Sequence, residues 1–144
     1  MIKLVVTAHG EFANGIVSSL NLIAGPQEEL EVVNFVEGMS AATLRDEIDK
    51  ATLGSDEVLI LCDLLGGTPF NISCEVATAS SEQTIVVLSG LNLAMLLDAT
   101  FSRLTYDFDD LVAKLVLTAK EAVVDSKTLL STTDEEQSDF EDGI

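Results

Sequence analysis

Residues 58–71 read VLILCDLLGGTPFN, an uninterrupted apolar run followed by a glycine-rich turn. Continuous apolar residues between turn signals are typical of a strand that is buried on both faces. After the turn, Thr68 is suited to cap a helix that begins at Pro69, because proline's fixed φ and missing N–H fit the first helical position. The segment therefore predicts a buried strand, a tight glycine turn and a helix in direct succession.

Strands and helices alternate along the rest of the chain. Apolar runs predict three further strands, over residues 2–8, 30–36 and 84–89. Helical periodicity predicts helices over 14–24, 41–52, 69–79 and 92–101, and a last long helix that begins after Asp107. Such alternation implies a parallel sheet with right-handed crossovers. The predicted fold is α/β: a doubly wound, mostly parallel four-stranded sheet with helices on both faces.

The C-terminal part of the chain divides at residue 131. Residues 127–131, KTLLS, are a candidate fifth strand at the edge of the sheet, with little in the sequence to hold it. Residues 132–144 contain six Asp and Glu residues and no Lys or Arg, a composition typical of disorder. No internal repeat or linker interrupts the rest. The sequence thus predicts one domain over 1–131 and a disordered acidic tail over 132–144.

The charge of the chain excludes several classes of function. The net charge is −18, and removing the six acidic residues of the tail leaves −12 for the body. An acidic surface disfavours binding to nucleic acids and to anionic membranes, and it attracts a partner with a basic face. No apolar run approaches the ~20 residues that span a membrane, and residues 2–6 lack the flanks of a signal peptide. We therefore expect a cytoplasmic protein.

Two cysteines, Cys62 and Cys74, lie within apolar stretches. Their simplest role is packing as free thiols in a reducing compartment. One histidine and two separated cysteines do not have the spacing of a metal site. Neither a metal nor another cofactor is expected.

Polar residues interrupt the apolar pattern where three predicted strands end. His9 follows the first strand, Asp63 follows the third, and Ser89-Gly90 follows the fourth. The carboxyl ends of parallel strands meet at one edge of an open sheet, and ligands bind there. We therefore expect these residues to lie at the same edge.

His9, the only histidine, is the candidate reactive group at that edge. A neutral imidazole nitrogen can attack a phosphoryl group and hold it covalently, and a carboxylate such as Asp63 on the other nitrogen fixes the tautomer and stabilises the cationic ring. N–H groups of the Gly66–Thr68 turn, at a helix start, can bind phosphoryl oxygens. A solvated histidine, a turn-capping aspartate and simple strand-to-helix punctuation are the alternative interpretations. The expected meeting of all three features at one edge favours a site.

Three segments resemble the EIIA component of the mannose family of the bacterial sugar phosphotransferase system. They are VVTAHG at 5–10, CDLLGGTPFN at 62–71 and SGLNLAML at 89–96. They occur in the family's order and spacing, and the similarity extends from about residue 1 to 125. The D-x-x-G-G-[ST]-P-F-N string is far more specific than a lone histidine.

The resemblance implies a phosphotransferase with a phosphohistidine intermediate. His9 would accept a phosphoryl group from phospho-HPr, on Nε2, and pass it to EIIB, which phosphorylates sugar entering through the membrane components EIIC and EIID. Asp63 would hold Nδ1–H, and Gly66, Gly67 and Thr68 would bind phosphoryl oxygens. The resemblance also implies a cytoplasmic homodimer, associated peripherally with the transporter, in which a C-terminal strand near 126–131 crosses to the partner's sheet.

Some alternatives stay open at this point. Family members often continue through an Ala/Pro-rich linker into an EIIB domain, whereas an acidic tail stands here, so EIIB is expected to be a separate protein. The phosphocarrier subunit of dihydroxyacetone kinase shares the fold and the histidine but lacks the Gly-Gly-Thr-Pro-Phe-Asn string. A non-catalytic regulatory module that binds a small anion or nucleotide at the glycine turn is the remaining alternative.

Overall fold

The computed structural model describes residues 1–131, in which four strands alternate with four helices and two further helices follow. The strands are β1 Lys3–His9, β2 Leu30–Phe35, β3 Glu57–Cys62 and β4 Thr84–Leu88. The helices are α1 Phe12–Ala24, α2 Ala41–Ala51, α3 Thr68–Ala79, α4 Leu93–Ser102, α5 Phe108–Glu121 and α6 Ser126–Leu130. The predicted acidic tail, 132–144, lies outside the described residues. None of the described helices is both long and apolar enough to cross a membrane.

The four strands form one parallel sheet in the order β2-β1-β3-β4. In the register of the central strands, Thr7 lies opposite Cys62, and His9 at the end of β1 lies opposite Phe35 of β2. The chain leaves β1 towards one edge of the sheet and β3 towards the other. The carboxyl ends of β1 and β3 are therefore the topological switch point, where ligands bind in such folds. The predicted doubly wound α/β fold is confirmed.

Helices cover both faces of the sheet, as predicted. One face packs on α1, α4 and α5 and buries Leu4 and Leu61 completely. The other packs on α2 and α3 and buries Val5 and Ile60 completely. Because successive side chains of a strand point to opposite faces, β1 and β3 need apolar residues at nearly every position. That need explains their uninterrupted apolar runs.

Helix α3 begins one residue earlier than the sequence predicts. Thr68 is its first residue, and Gly67 is the N-cap with φ −71° and ψ 165°. The N–H of Asn71 donates to the Gly67 carbonyl at 2.9 Å, which closes the first helical turn on Gly67. The prediction that Thr68 is the cap is therefore wrong, because the glycine backbone alone makes the extended cap. Thr68 stands inside the first turn, and its side chain does not cap the helix.

The segment predicted as a fifth strand is helical in the single chain. Helix α6 spans Ser126–Leu130, and the Asp125 carboxylate accepts hydrogen bonds from the Thr128 N–H, at 2.8 Å, and from the Thr128 hydroxyl. A capped helical turn satisfies its own backbone groups, whereas a strand needs a neighbouring edge to pair with. The strand prediction for 127–131 is thus wrong for the chain by itself.

Candidate active site

His9 and Asp63 lie side by side at the switch point of the sheet. His9 is the last residue of β1, and Asp63 follows directly after β3, its neighbour in the sheet. The Nδ1 atom of His9 lies 2.8 Å from Oδ2 of Asp63, and the backbone N–H of His9 donates to the same oxygen at 3.1 Å. The structure therefore brings together two residues that are 54 positions apart in the chain.

The turn after His9 keeps the imidazole at this edge. Gly10 has φ +57°, a left-handed conformation that glycine adopts without steric cost. Its N–H donates to the carbonyl of Phe35 at 2.8 Å, which extends the pairing with β2 by one residue. The chain then turns into α1, and the His9 side chain remains 44% exposed.

The electrostatics of the pair define the tautomer of the ring. Partial burial raises the pKa of Asp63, but the hydrogen bonds from the ring and the amide of His9 outweigh burial and hold that pKa below its ordinary value. An ionised carboxylate only accepts hydrogen bonds, so the proton of a neutral His9 ring lies on Nδ1. Nε2 is then the nitrogen with a free lone pair. Oδ1 of Asp63 is buried and has no hydrogen-bond partner within residues 1–131.

The glycine turn passes directly against the imidazole. Gly66 has φ +77°, and the N–H of Gly67 donates to the carbonyl of Leu64 at 3.2 Å. A Cβ atom built on Gly67 would lie 2.7 Å from Cε1 and 3.4 Å from Nε2 of His9. The turn predicted from the sequence is therefore a neighbour of the ring, while the Gly67 N–H is already used within the turn.

The start of α3 adds hydrogen-bond donors beside the turn. N–H groups in the first turn of a helix have no carbonyl partner within it and carry partial positive charge. Thr68 is the first residue of α3 and also has a hydroxyl group. Asn71 Nδ2 donates to the carbonyl of Gly66 at 3.0 Å and so ties the turn to the helix. By sequence alone Asn71 is a solvated, capping or turn residue, and this hydrogen bond shows that it supports the turn.

Phe35 is a residue that sequence analysis missed. Its ring lies 6.0 Å from the His9 ring, centroid to centroid, at an interplanar angle of 71°. This edge-to-face arrangement is a favourable geometry for aromatic rings. The contact depends on β2 pairing with β1 in the observed register, and the chain order of the strands does not reveal that pairing.

The third predicted strand end lies apart from the pair. Ser89 and Gly90 follow β4 and line a cavity of about 480 Å³ together with Phe70 and Asn92. No hydrogen bond joins either of them to His9 in the described part of the chain. The structure thus brings together His9, Asp63 and the Gly66–Thr68 turn, while Ser89-Gly90 belongs to a neighbouring feature.

Cys62 precedes Asp63 but does not share its environment. Burial raises the pKa of the Cys62 thiol to about 12, and its sulfur lies 3.7 Å from the Ser73 hydroxyl in the core. Cys62 and Cys74 are both free, as predicted. A thiol with so high a pKa is not a thiolate near neutral pH, so Cys62 is not a candidate nucleophile. Within residues 1–131, no three His, Cys, Asp or Glu side chains are placed to hold a metal ion.

The chain is similar to known proteins over most of its described length. The family model EIIA-man, "PTS system fructose IIA component", matches residues 3–116. The mannose-specific EIIAB component of Escherichia coli K12 is 31% identical over 126 residues, which are 85% of this chain and 38% of that protein. The fructose-specific EIIA component of Bacillus subtilis is 30% identical over 118 residues, 80% of each chain.

A solved structure agrees with these sequence matches. The crystal structure of phosphotransferase system component EIIA from Streptococcus agalactiae is 46% identical and superposes with a TM-score of 0.86. The superposition covers 89% of this chain and 99% of the other. A family model that spans most of the chain and a matching fold lead to the same conclusion. The chain belongs to the EIIA-man family of phosphotransferase system IIA components.

Proposed function

We propose that this protein is a phosphocarrier of the PEP-dependent sugar phosphotransferase system, with His9 as the phosphorylated residue. The observation that carries the proposal is the 2.8 Å hydrogen bond between Nδ1 of His9 and Asp63, next to the start of α3. Nε2 attacks the phosphorus atom, the bond between phosphorus and the donor breaks, and the donor keeps the electron pair. Transfer to the acceptor runs the same exchange in reverse.

Asp63 has two tasks in this proposal. Its hydrogen bond holds the proton on Nδ1, so that the lone pair of Nε2 is available for attack. Because the hydrogen bonds from His9 lower the pKa of Asp63, the carboxylate stays ionised near neutral pH. It then stabilises the positive charge that the ring gains when Nε2 binds phosphorus, as a carboxylate does in a serine protease triad.

The Gly66–Thr68 turn is proposed to bind the phosphoryl oxygens. Charge spreads over these oxygens during transfer, and preorganised donors at a helix start stabilise it. Thr68 offers its N–H and its hydroxyl group, and Gly66 and Gly67 let the backbone approach closely. Since the Gly67 N–H donates to Leu64, we assign the larger share of the donors to Thr68.

Family membership supports phospho-HPr as the phosphoryl donor and EIIB as the acceptor. EIIB would in turn phosphorylate sugar entering through EIIC and EIID, which would bring the carrier to the membrane surface from the cytoplasm. The net charge of the chain, −18, suits partners with basic contact surfaces, because opposite charges speed the encounter.

A homodimer is part of the same proposal. Strand β4 pairs only with β3 and leaves its other edge open in the described chain. The cavity of about 480 Å³ beside this edge is lined by apolar residues that include Val87, Val116 and Val123. An open strand edge next to apolar surface is suited to a second chain. Sedimentation equilibrium should give the mass of two chains, and the mass of one chain would contradict this part.

The central test is phosphorylation itself. The protein is incubated with PEP, enzyme I and HPr, and intact mass is measured. We expect a gain of one phosphoryl group that is lost in acid and kept in base, as an N–P bond to histidine requires. His9→Ala removes the only histidine and should abolish the gain. No gain in the unmodified protein, or a gain that persists in His9→Ala, would contradict the proposal.

A further inference from the structure

The imidazole of His9 is held from three directions. Asp63 binds Nδ1 at 2.8 Å, and the Phe35 ring meets the imidazole at 71° with 6.0 Å between centroids. The third neighbour is the backbone of Gly67, where a Cβ atom would lie 2.7 Å from Cε1 and 3.4 Å from Nε2. Real Cβ atoms essentially never approach other atoms below 3.0 Å. The ring therefore occupies space that any side chain at position 67 would need.

The backbone conformation does not explain why a glycine stands at position 67. Gly67 has φ −71° and ψ 165°, an extended conformation that every residue adopts. Its neighbour Gly66 is the opposite case, with φ +77° and no atom within 4 Å of a built Cβ. Gly66 is required by its backbone, whereas Gly67 is required only by the space that His9 fills. Glycine is thus required at these two adjacent positions for different physical reasons.

We propose that Gly67 is a positioning residue whose missing side chain sets the plane of the His9 imidazole. The crowded atoms belong to the end of a side chain that can rotate, and the nearest backbone atom, the Leu64 carbonyl oxygen, is at 3.4 Å. A methyl group at position 67 is therefore accommodated by moving the ring. Moving the ring draws Nδ1 away from Asp63 and Nε2 away from the start of α3. The effect falls on the site and leaves the fold in place.

The kinetic consequence rests on the proposed phosphoryl transfer. A reacting atom displaced by about 1 Å from its productive position lowers a rate on the order of 100-fold. We expect Gly67→Ala to slow phosphorylation of His9 by about that factor. The matched control is Gly15→Ala in the first turn of α1, because a Cβ built at Gly15 meets no atom within 4 Å. Gly15→Ala should transfer phosphoryl groups at the normal rate.

A second readout does not depend on transfer. His9 gives the only histidine ring signals in ¹⁵N NMR, and their shifts report the tautomer and the hydrogen bond at Nδ1. In Gly67→Ala these shifts should move towards those of a free imidazole, whereas in Gly15→Ala they should not change. Ring shifts in Gly67→Ala that match the unmodified protein would overturn the proposal.

Thermal unfolding of the double variant completes the test. With His9→Ala the crowding is gone, so adding Gly67→Ala should raise Tm, because alanine restricts the unfolded chain more than glycine does. In the presence of His9, the same substitution should give a smaller rise or a fall. An equal change of Tm in both backgrounds would overturn the proposal. If the unmodified protein accepts no phosphoryl group, the proposed function fails, while ring shifts and Tm still decide the role of Gly67.

Discussion

Two aspartates, Asp63 beside His9 and Asp98 on α4, are equally buried but are built into the molecule differently. Each side chain is 15% exposed. For both, partial burial raises the pKa, and hydrogen bonds outweigh it and lower the pKa below the ordinary value. The partners of Asp98 are Lys114 Nζ, 2.6 Å from each oxygen, Ser102 at 2.6 Å on Oδ1, and Thr118 on Oδ2.

The two aspartates differ in their hydrogen-bond partners and in whether both carboxylate oxygens accept a hydrogen bond. Both oxygens of Asp98 have donors, and one of these donors is the ammonium group of Lys114. Asp63 receives both of its hydrogen bonds on Oδ2, and its side-chain partner is a half-exposed imidazole. Burial and a lowered pKa are therefore common to both aspartates. A partner ring with one nitrogen free for attack is what makes Asp63 a candidate for chemistry, while Asp98 joins α4 to α5.

The largest expected difference between the two aspartates is in phosphoryl transfer. Asp63→Asn keeps the shape but replaces the carboxylate with an amide that can favour the wrong tautomer of His9, a change that costs on the order of 10⁴-fold in a serine protease triad. We expect a loss of about 10³-fold or more in the rate of transfer from phospho-HPr, measured by rapid quench. Asp98→Asn is the matched control and should stay near the normal rate. Equal losses in both variants would contradict the role proposed for Asp63.

Stability, in contrast, should fall further when Asp98 is removed than when Asp63 is removed. Asp98→Ala leaves the Lys114 ammonium and two hydroxyl groups without their acceptor, and we expect a loss of about 2–3 kcal/mol in the free energy of unfolding. Asp63→Ala removes hydrogen bonds from a half-exposed ring and one amide, and we expect about 1 kcal/mol. Urea unfolding of both variants gives these values. A larger loss for Asp63→Ala would contradict the structural role assigned to Asp98.

The pH dependence of stability also tests the structural role of Asp98. The pKa of Asp98 is lowered in the folded protein from 3.8, so its ionised form stabilises the fold above that value. This contribution disappears as the pH falls through the lowered pKa, because the carboxyl then binds a proton in both states. The difference in stability between the unmodified protein and Asp98→Asn should therefore shrink between about pH 5 and pH 2. Urea denaturation gives both stabilities at each pH, and a difference that stays constant over that range would exclude this linkage.

The smallest expected effect comes from removing one of the three side chains that donate hydrogen bonds to Asp98. Thr118→Val removes a single hydroxyl donor, while Lys114 and Ser102 still bind the carboxylate. We expect about 1 kcal/mol of destabilisation by urea unfolding, with normal phosphoryl transfer. A loss of stability equal to that of Asp98→Ala would mean that the contribution of Asp98 depends on Thr118 alone.

The pairing of His9 with Asp63 was predictable because it follows from topology. Parallel strands place their carboxyl ends at one edge of the sheet, which predicts that His9 and Asp63 lie near each other. Their direct contact also requires β1 and β3 to be neighbours in the sheet. The contact of Phe35 with His9 was not predictable in this way. It needs β2 to pair with β1 in one register, and local periodicity carries no information about which strands are neighbours.

The secondary structure of the C-terminal segment was also not predictable from local sequence. Residues 126–131 have no strong period, so their state depends on what is available to pair with. In the single chain the Asp125 side chain caps a short helix at these residues. A weak local preference is settled by the nearest hydrogen-bond partner.

The α/β fold, the family and the three parts of the candidate site were predictable from the amino-acid sequence, because apolar runs, turn glycines and the GGTPFN string act over a few neighbouring residues. Only the tertiary structure decided that Gly67, and not Thr68, caps α3, that the Gly67 N–H is already bonded, and that His9 fills the space at position 67. The physical reason is distance. Hydrogen bonds and steric contacts change within a few tenths of an ångström, and only the packing of distant segments sets separations that finely.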